Sequence, residues 1–188
     1  MTCDDPDLPV LARIRDGDAG GCRLLVDRHL TRLHALASRL LGSQADADEV
    51  CQDAFVRAWQ QAPNWQPGAA RFATWLHQVV LNLCRDRLRT RREMLPLESV
   101  AERVDDDTPE HAHGRADRAH RIQTALATLP ERQREALLLC HFQGLSNIEA
   151  AGLLALSVDA LESLLARGRR ALRAALTAVG EPTLGAGA

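Results

Sequence analysis

Five side chains in the middle of the chain have types and spacing suited to reading nucleic acid. Thr74, Gln78, Asn82, Arg85 and Arg89 follow one another at steps of 4, 4, 3 and 4, so a helix places them on one face. Amides can pair with base edges and guanidinium groups can hold phosphate, a mixture that fits nucleic acid better than generic solvation. A second set lies towards the other end, where Glu162, Ser163, Ala166, Arg167, Arg170 and Arg173 fall outside the apolar positions Leu161, Leu165 and Leu172. A third, of opposite sign, comprises Asp46, Glu49, Gln52, Asp53 and Arg57, opposite an apolar face of Val50, Cys51, Ala54, Phe55, Ala58 and Trp59. Taken alone, this acidic face reads as solvated.

Helices must position all three sets. Val10, Leu11 and Ile14 give a short amphipathic turn that ends at Asp16-Gly17-Asp18, and a helix is expected over residues 19–41, with Leu25, Leu33, Leu36 and Leu40 inside and Gly42 as its stop. The next helix opens at Ser43 or Asp46, and residues 62–69, APNWQPGA, form a loop. Beyond it Phe72, Trp75, Leu76, Val79, Val80, Leu83 and Leu88 make a broad apolar stripe. Residues 94–114 lose periodicity and gather acids and Pro, which is linker chemistry. Ile122, Ala125, Leu126 and Leu129 then begin a second helical unit, with Pro130 at an N1 position, a helix running to Gly144, and Ser146 and Glu149 spaced as a capping box. A three-residue turn, Ala155-Leu156-Ser157, leads to the last helix, which Ser157 can cap. Two short helices around a tight turn, the second ending basic, are what a major groove accepts.

Composition agrees. Of 188 residues 46% are hydrophobic and only 3% aromatic, with no Tyr, and no run alternates as a strand would, so the fold class is all-α. The net charge of -2 hides alternating blocks: residues 1–60 hold 7 Arg against 10 acids, 61–93 hold 6 against 2, 94–114 hold 1 against 6 and 115–188 hold 9 against 7. Local fields therefore matter more than the total. Every one of the 23 basic residues is Arg, which a GC-rich genome explains as readily as function does. Cys3, Cys22, Cys51, Cys84 and Cys140 are scattered without paired spacing, as in a reduced cytoplasmic protein. His111 and His113 have no Cys or carboxylate at ligand spacing, so no metal and no cofactor is expected. The acidic start MTCDDPDLP lacks an apolar core, and no stretch suits a membrane span, so neither export nor membrane insertion is expected.

The order and separation of these features resemble the extracytoplasmic-function sigma factors, small members of the sigma-70 family. DADEVCQDAFVRAWQQAPNWQPGAARFATWLHQVVLNLCRDRLRTRR is similar to the family's region 2, and LATLPERQREALLLCHFQGLSNIEAAGLLALSVDALESLLARGRRAL to its region 4. The resemblance implies a region 2 bundle over residues 1–93, a flexible acidic linker over 94–114, a region 4 helix-turn-helix over 115–176 and a disordered tail over 177–188. It implies that Asp46, Asp48, Glu49, Gln52, Asp53 and Arg57 contact the β′ clamp helices of core RNA polymerase. Asn64, Trp65, Thr74, Gln78, Asn82, Arg85 and Arg89 would engage the minus-ten element as it melts. Glu162, Ser163, Ala166, Arg167 and Arg170 would read the minus-thirty-five element, and the remaining partners would be the β flap and an anti-sigma factor acting in a stress or environmental response.

Several positions depart from the family pattern. Glu162 and Leu164 stand where basic residues are frequent, Ala155 where Gly is common, and His77 and Gln78 where an aromatic and a basic residue are common. Two other readings remain open on residues alone: a helix-turn-helix repressor or activator, and a small helical enzyme or metal sensor built on His111, His113 and the cysteines. Against an enzyme, no set of nucleophile, base and orienter, no Gly-rich phosphate loop and no catalytic ligand set can be assembled.

Overall fold

The computed structural model describes residues 5–66, 68, 70–94 and 113–178, and of residues 113–117 the backbone alone. Every described element is helical, and the chain divides into two compact units, Met1–Ala101 and Glu102–Ala188. The division falls inside the segment read as a linker, most of which lies outside the described residues, as does the tail beyond Ala178.

The first unit contains α1 (Leu8–Arg15), α2 (Ala19–Leu41), α3 (Gln44–Gln61), a 3-10 turn (Ala62–Asn64) and α4 (Phe72–Met94). Local chemistry sets these boundaries. The Asp18 carboxylate accepts from the Gly20 N–H at 2.8 Å and starts α2, and Gly42 ends it in a left-handed conformation, φ 68°. Ser43 then caps α3 by accepting from the Asp46 N–H at 3.2 Å. Because the two caps are consecutive residues, α2 and α3 form a tight hairpin, and α4 packs on both. Leu25, Leu33, Leu36, Leu40, Val50, Phe55, Phe72, Leu76 and Val80 fill the core.

Several positions of α3 and α4 differ from the sequence expectation. Trp59 lies at the edge of the buried arc of α3 and is 39% exposed, because Ala54, Phe55 and Ala58 take the centre. Leu83 and Leu88 of α4 are half-exposed, and His77, Leu81 and Cys84 are buried in their place. The buried side of α4 therefore wraps further round the helix than its aliphatic residues alone indicate, since α2 and α3 cover it from two directions. His77 sits there with its Nδ1 2.7 Å from the Ala73 carbonyl, which accounts for a polar ring inside the packed surface.

The second unit contains α5 (His113–Ala127), α6 (Glu131–Leu137), a π-helical turn (Leu138–Phe142), α7 (Asn147–Leu154) and α8 (Val158–Ala178). Pro130 is the N-cap of α6 rather than its first helical residue. The continuous helix expected up to Gly144 is widened at its end into the π turn, an extra residue per turn that periodicity does not reveal. Gly144, at φ 68°, then turns the chain, and the Leu145 N–H bonds back to the Leu139 carbonyl at 3.1 Å. Gly168 is buried where α8 crosses α6; a Cβ there would lie 3.1 Å from Leu137 Cδ1. That close approach holds α8 on its support and leaves the opposite side of α8 to solvent.

Candidate polymerase and nucleic-acid interfaces

The acidic face of α3 is not uniformly outward. Asp46 Oδ1 accepts from Arg87 Nε at 2.9 Å and its Oδ2 from Arg91 Nη2 at 2.6 Å, and Arg87 also pairs with Glu49. These pairs cross-link the start of α3 to the end of α4, and Asp46 keeps only 19% of its side-chain exposure. The expectation that Asp46 stands free on a solvated face is therefore incorrect. Arg87 and Arg91, four residues apart, project across the helix interface and claim it. The hydrogen bond from Arg87 to Glu49, helped by the second one to Asp46, raises the Arg87 pKa despite some desolvation. On the other flank Asp48 Oδ1 is 2.8 Å from His34 Nε2 of α2. Gln52, Asp53 and Arg57 remain exposed, with no partner among the described residues, beside exposed Val56.

The α4 stripe forms as spaced. Thr74, Gln78 and Arg85 are half-buried, and Asn82 and Arg89 are exposed. Gln78 Nε2 donates to Asn82 Oδ1 at 3.0 Å, which orients the two amides as one unit. Arg89 pairs with Asp86 of its own helix at 3.0 Å, an exposed contact of little energetic weight. At the N-terminal end of this stripe an aromatic cluster closes the loop: Trp65 meets Phe72 edge-on at 4.9 Å and Trp75 at 5.8 Å. Trp65 is thus held in the fold instead of standing free, and its buried indole N–H has no partner among the described residues. Asn64, one residue earlier, is exposed.

One part of this region is not visible in sequence pattern. Asp5 and Asp7, in the acidic start of the chain, are buried. Asp5 Oδ2 accepts from the Phe72 N–H at 2.7 Å, capping α4 from 67 residues away. Asp7 Oδ1 lies 2.5 Å from Arg28 Nη1 and its Oδ2 2.9 Å from His29 Nε2. Burial opposes ionisation of Asp7, yet the hydrogen bonds from His29 and Arg28 outweigh it and hold its pKa below the usual carboxylate value. The available sequence signal was an Asp-Pro-Asp directly before a helix start, a pattern that also fits a surface turn.

In the second unit Ser146 and Glu149 make the full capping box, with the Glu149 N–H on Ser146 Oγ at 3.2 Å and the Ser146 N–H on Glu149 Oε2 at 3.0 Å. Ala155 then adopts the left-handed conformation, φ 53° and ψ 47°, the one non-Gly residue with positive φ among those described. Ser157 Oγ accepts from the Ala160 N–H at 3.2 Å and starts α8. Leu161 and Leu165 are buried, whereas Leu172 is half-exposed. Glu162, Ser163, Arg167 and Arg170 are exposed and Ala166 is half-buried, so the five expected residues share the open side. Glu162 Oε1 accepts from Asn147 Nδ2 at 3.2 Å, tying the two helices of the motif together.

Among the described residues, no group of three His, Cys, Asp or Glu could hold a metal ion, and no helix is long and apolar enough to cross a membrane. Cys51 and Cys84 are buried, and burial, with a smaller contribution from Asp48, pushes the Cys51 thiol up to about 11, away from reactivity. His111 lies outside the described residues, as does the side chain of His113.

With this geometry in place, comparison with known proteins is informative. Residues 25–93 match Sigma-70 region 2, and residues 119–172 match Sigma-70, region 4. The ECF RNA polymerase sigma factor SigE of Mycolicibacterium smegmatis is 36% identical over 154 residues, covering 79% of this chain but only 59% of that protein. The RNA polymerase sigma factor CnrH of Cupriavidus metallidurans is 34% identical over 192 residues, covering 96% of this chain and 100% of that one. The solved structure of CnrH in complex with the cytosolic domain of CnrY matches with a TM-score of 0.72 at 31% identity, covering 93% of this chain and 99% of that chain. The chain belongs to the extracytoplasmic-function sigma factors, the small RNA polymerase sigma factors of the sigma-70 family.

Proposed function

We propose that the chain docks on core RNA polymerase through the outer side of α3 and contacts a promoter at two places, through the α4 stripe and through α8. The observation that carries this reading is the pairing of Gln78 with Asn82 beside an aromatic cluster, which supplies oriented amides and a stacking neighbourhood at one end of a single helix. Extruding a base from a duplex costs a few kcal/mol, so a strand-capturing site needs such preformed contacts. Asn64, Trp65, Thr74, Gln78, Asn82, Arg85 and Arg89 serve the minus-ten element. Glu162, Ser163, Ala166, Arg167 and Arg170 serve the minus-thirty-five element. Gln52, Asp53 and Arg57 carry polymerase docking, with Asp48 and Glu49 at its edges, and Asp46 supports the face from within.

The chain performs no covalent chemistry in this reading, acts in the cytoplasm and answers to an anti-sigma protein; its relative CnrH has been solved in complex with the cytosolic domain of CnrY. The test is promoter-directed transcription by core polymerase with and without the chain. The expected result is initiation that depends on the chain and is lost in Asn82→Ala. Tight, sequence-specific duplex binding by the free chain at physiological salt would favour a repressor instead, because two weak contacts gain strength only when polymerase fixes both.

A further inference from the structure

The loop that carries Asn64 and Trp65 leaves α3 through the 3-10 turn and rejoins the fold at Phe72. Both of its ends are held by the N-terminal segment. α1 packs on the 3-10 turn, and Asp5 accepts the Phe72 N–H at 2.7 Å. Asp5 is itself fixed, because its Oδ1 accepts from the Asp7 N–H at 3.0 Å and Asp7 is anchored to α2 through Arg28 and His29. Arg28 also donates to the Pro6 carbonyl at 2.8 Å, so the segment is gripped at three consecutive residues. Phe72 lies under both Trp65 and Trp75, with ring centroids at 4.9 and 5.1 Å. A shift of the Phe72 backbone therefore moves the aromatic cluster as a whole.

We propose that Asp5 is a positioning residue for minus-ten strand capture: by capping α4 at Phe72 it sets where the Trp65 cluster and Asn64 stand relative to the Gln78–Asn82 amides. The proposal rests on the minus-ten reading above. Water can satisfy a first-turn N–H at a helix start, so a cap that served stability alone would need no buried carboxylate brought from 67 residues away. The carboxylate bonds both the Asp7 N–H and the Phe72 N–H, so it links the segment anchored on α2 to the start of α4, and its loss cuts that link.

The test uses holoenzyme assembled from the full chain and bacterial core polymerase. The probe is a labelled single strand selected on the wild-type holoenzyme from a randomised pool of short DNAs, and its Kd is read well below the melting temperature. Asp5→Ala should raise Kd on the order of tenfold, since sub-ångström to ångström misplacement of a binding group has effects of this size. Asp18→Ala removes the N-cap of α2 in the same unit and should lower the melting temperature without changing Kd. Asp5→Asn keeps one acceptor oxygen and should fall between wild type and Asp5→Ala. If Asp5→Ala does not fold, Asp5→Asn decides alone: an unchanged Kd overturns the proposal and a raised one supports it. Equal Kd changes in Asp5→Ala and Asp18→Ala would also overturn it, as stability alone would then explain the loss. Asn82→Ala separates the two levels. If it weakens binding and Asp5→Ala does not, only the positioning role falls; if it binds as wild type does, the minus-ten reading falls and takes the positioning role with it.

Discussion

Replacing Asp46 by Ala separates a structural acid from a docking acid on the same helix. Asp46 holds Arg87 at 2.9 Å and Arg91 at 2.6 Å, while the three side chains keep 19%, 33% and 50% of their exposure. A hydrogen bond to a charged group contributes about 1.5–3 kcal/mol when well buried, whereas an exposed ion pair contributes about 0–1 kcal/mol. Partial exposure of both arginines puts the Arg87 pair near about 1 kcal/mol and the Arg91 pair near about 0.5 kcal/mol after allowance for solvent screening. Asp46→Ala should thus cost about 1–1.5 kcal/mol, a drop of roughly 5–10 °C for a unit of this size. Asp53→Ala, at an exposed position without a partner among the described residues, should stay within about 0.5 kcal/mol and instead weaken core polymerase binding. Thermal melting followed by circular dichroism gives the first quantity and a polymerase titration the second. A double-mutant cycle of Asp46→Ala with Arg87→Ala should show coupling of about 1 kcal/mol. Zero coupling, an unchanged melt and a polymerase defect in Asp46→Ala equal to that of Asp53→Ala would refute the structural assignment.

Four further outcomes are expected. Ala155→Gly should stabilise the second unit by about 0.5–1 kcal/mol, as relief of left-handed strain exceeds the added chain entropy of Gly; a lower melting temperature would contradict it. Because the folded-state pKa of Asp7 is depressed below 3.8, its contribution is present above that value and is lost as pH falls through the folded pKa, so the stability gap between wild type and Asp7→Asn should be flat near neutrality and shrink below about pH 4. Arg167→Ala should cost about 1–3 kcal/mol at the cognate minus-thirty-five element and little elsewhere, whereas Arg173→Ala should weaken binding evenly across sequences; footprinting on cognate and scrambled elements distinguishes them. Arg89→Ala should lower the salt slope of holoenzyme–promoter binding by about 1, and Arg87→Ala should leave that slope unchanged, since its charge is already matched by Asp46 and Glu49.

The helices and their faces were legible because each carries a local signal. Gly42 and Gly144 mark left-handed stops, Ser43, Ser146 and Ser157 mark starts, and leucines at helical spacing mark the sides that pack. The α4 stripe followed from spacing within one helix, and so did the open side of α8. What failed was knowledge of which side chains meet across elements. Asp46 and Asp53 have the same chemistry and lie on the same exposed-looking half of α3, but only Asp46 comes level with Arg87 and Arg91 of a helix more than 40 residues on. The roles of Asp5 and Asp7 were not legible for the same reason: their partners, Phe72, Arg28 and His29, are remote in the chain. The π turn at Leu138–Phe142 leaves no periodic trace, being a single extra residue in one turn.

α4 shows how one helix can carry two arginine roles without conflict. Arg87 and Arg91 are four residues apart on one side, and Arg85 and Arg89 are four apart on another. The first pair crosses to the acids of α3 and fixes the helix; the second continues the line of Gln78 and Asn82. A charge count over residues 61–93 credits all six arginines to nucleic acid, although two are already neutralised by carboxylates from the acidic block before them. The alternation of charge along the chain is thus partly internal cross-linking, and it fixes the helix that carries the stripe proposed above for minus-ten contact. Removing the charge of Arg87 or Arg91 acts first on the packing of α4 against α3, because both guanidinium groups are paired with carboxylates there. Changes at Arg85 and Arg89 act on the side that carries the amides, where the proposed minus-ten contact would couple phosphate attraction to base recognition.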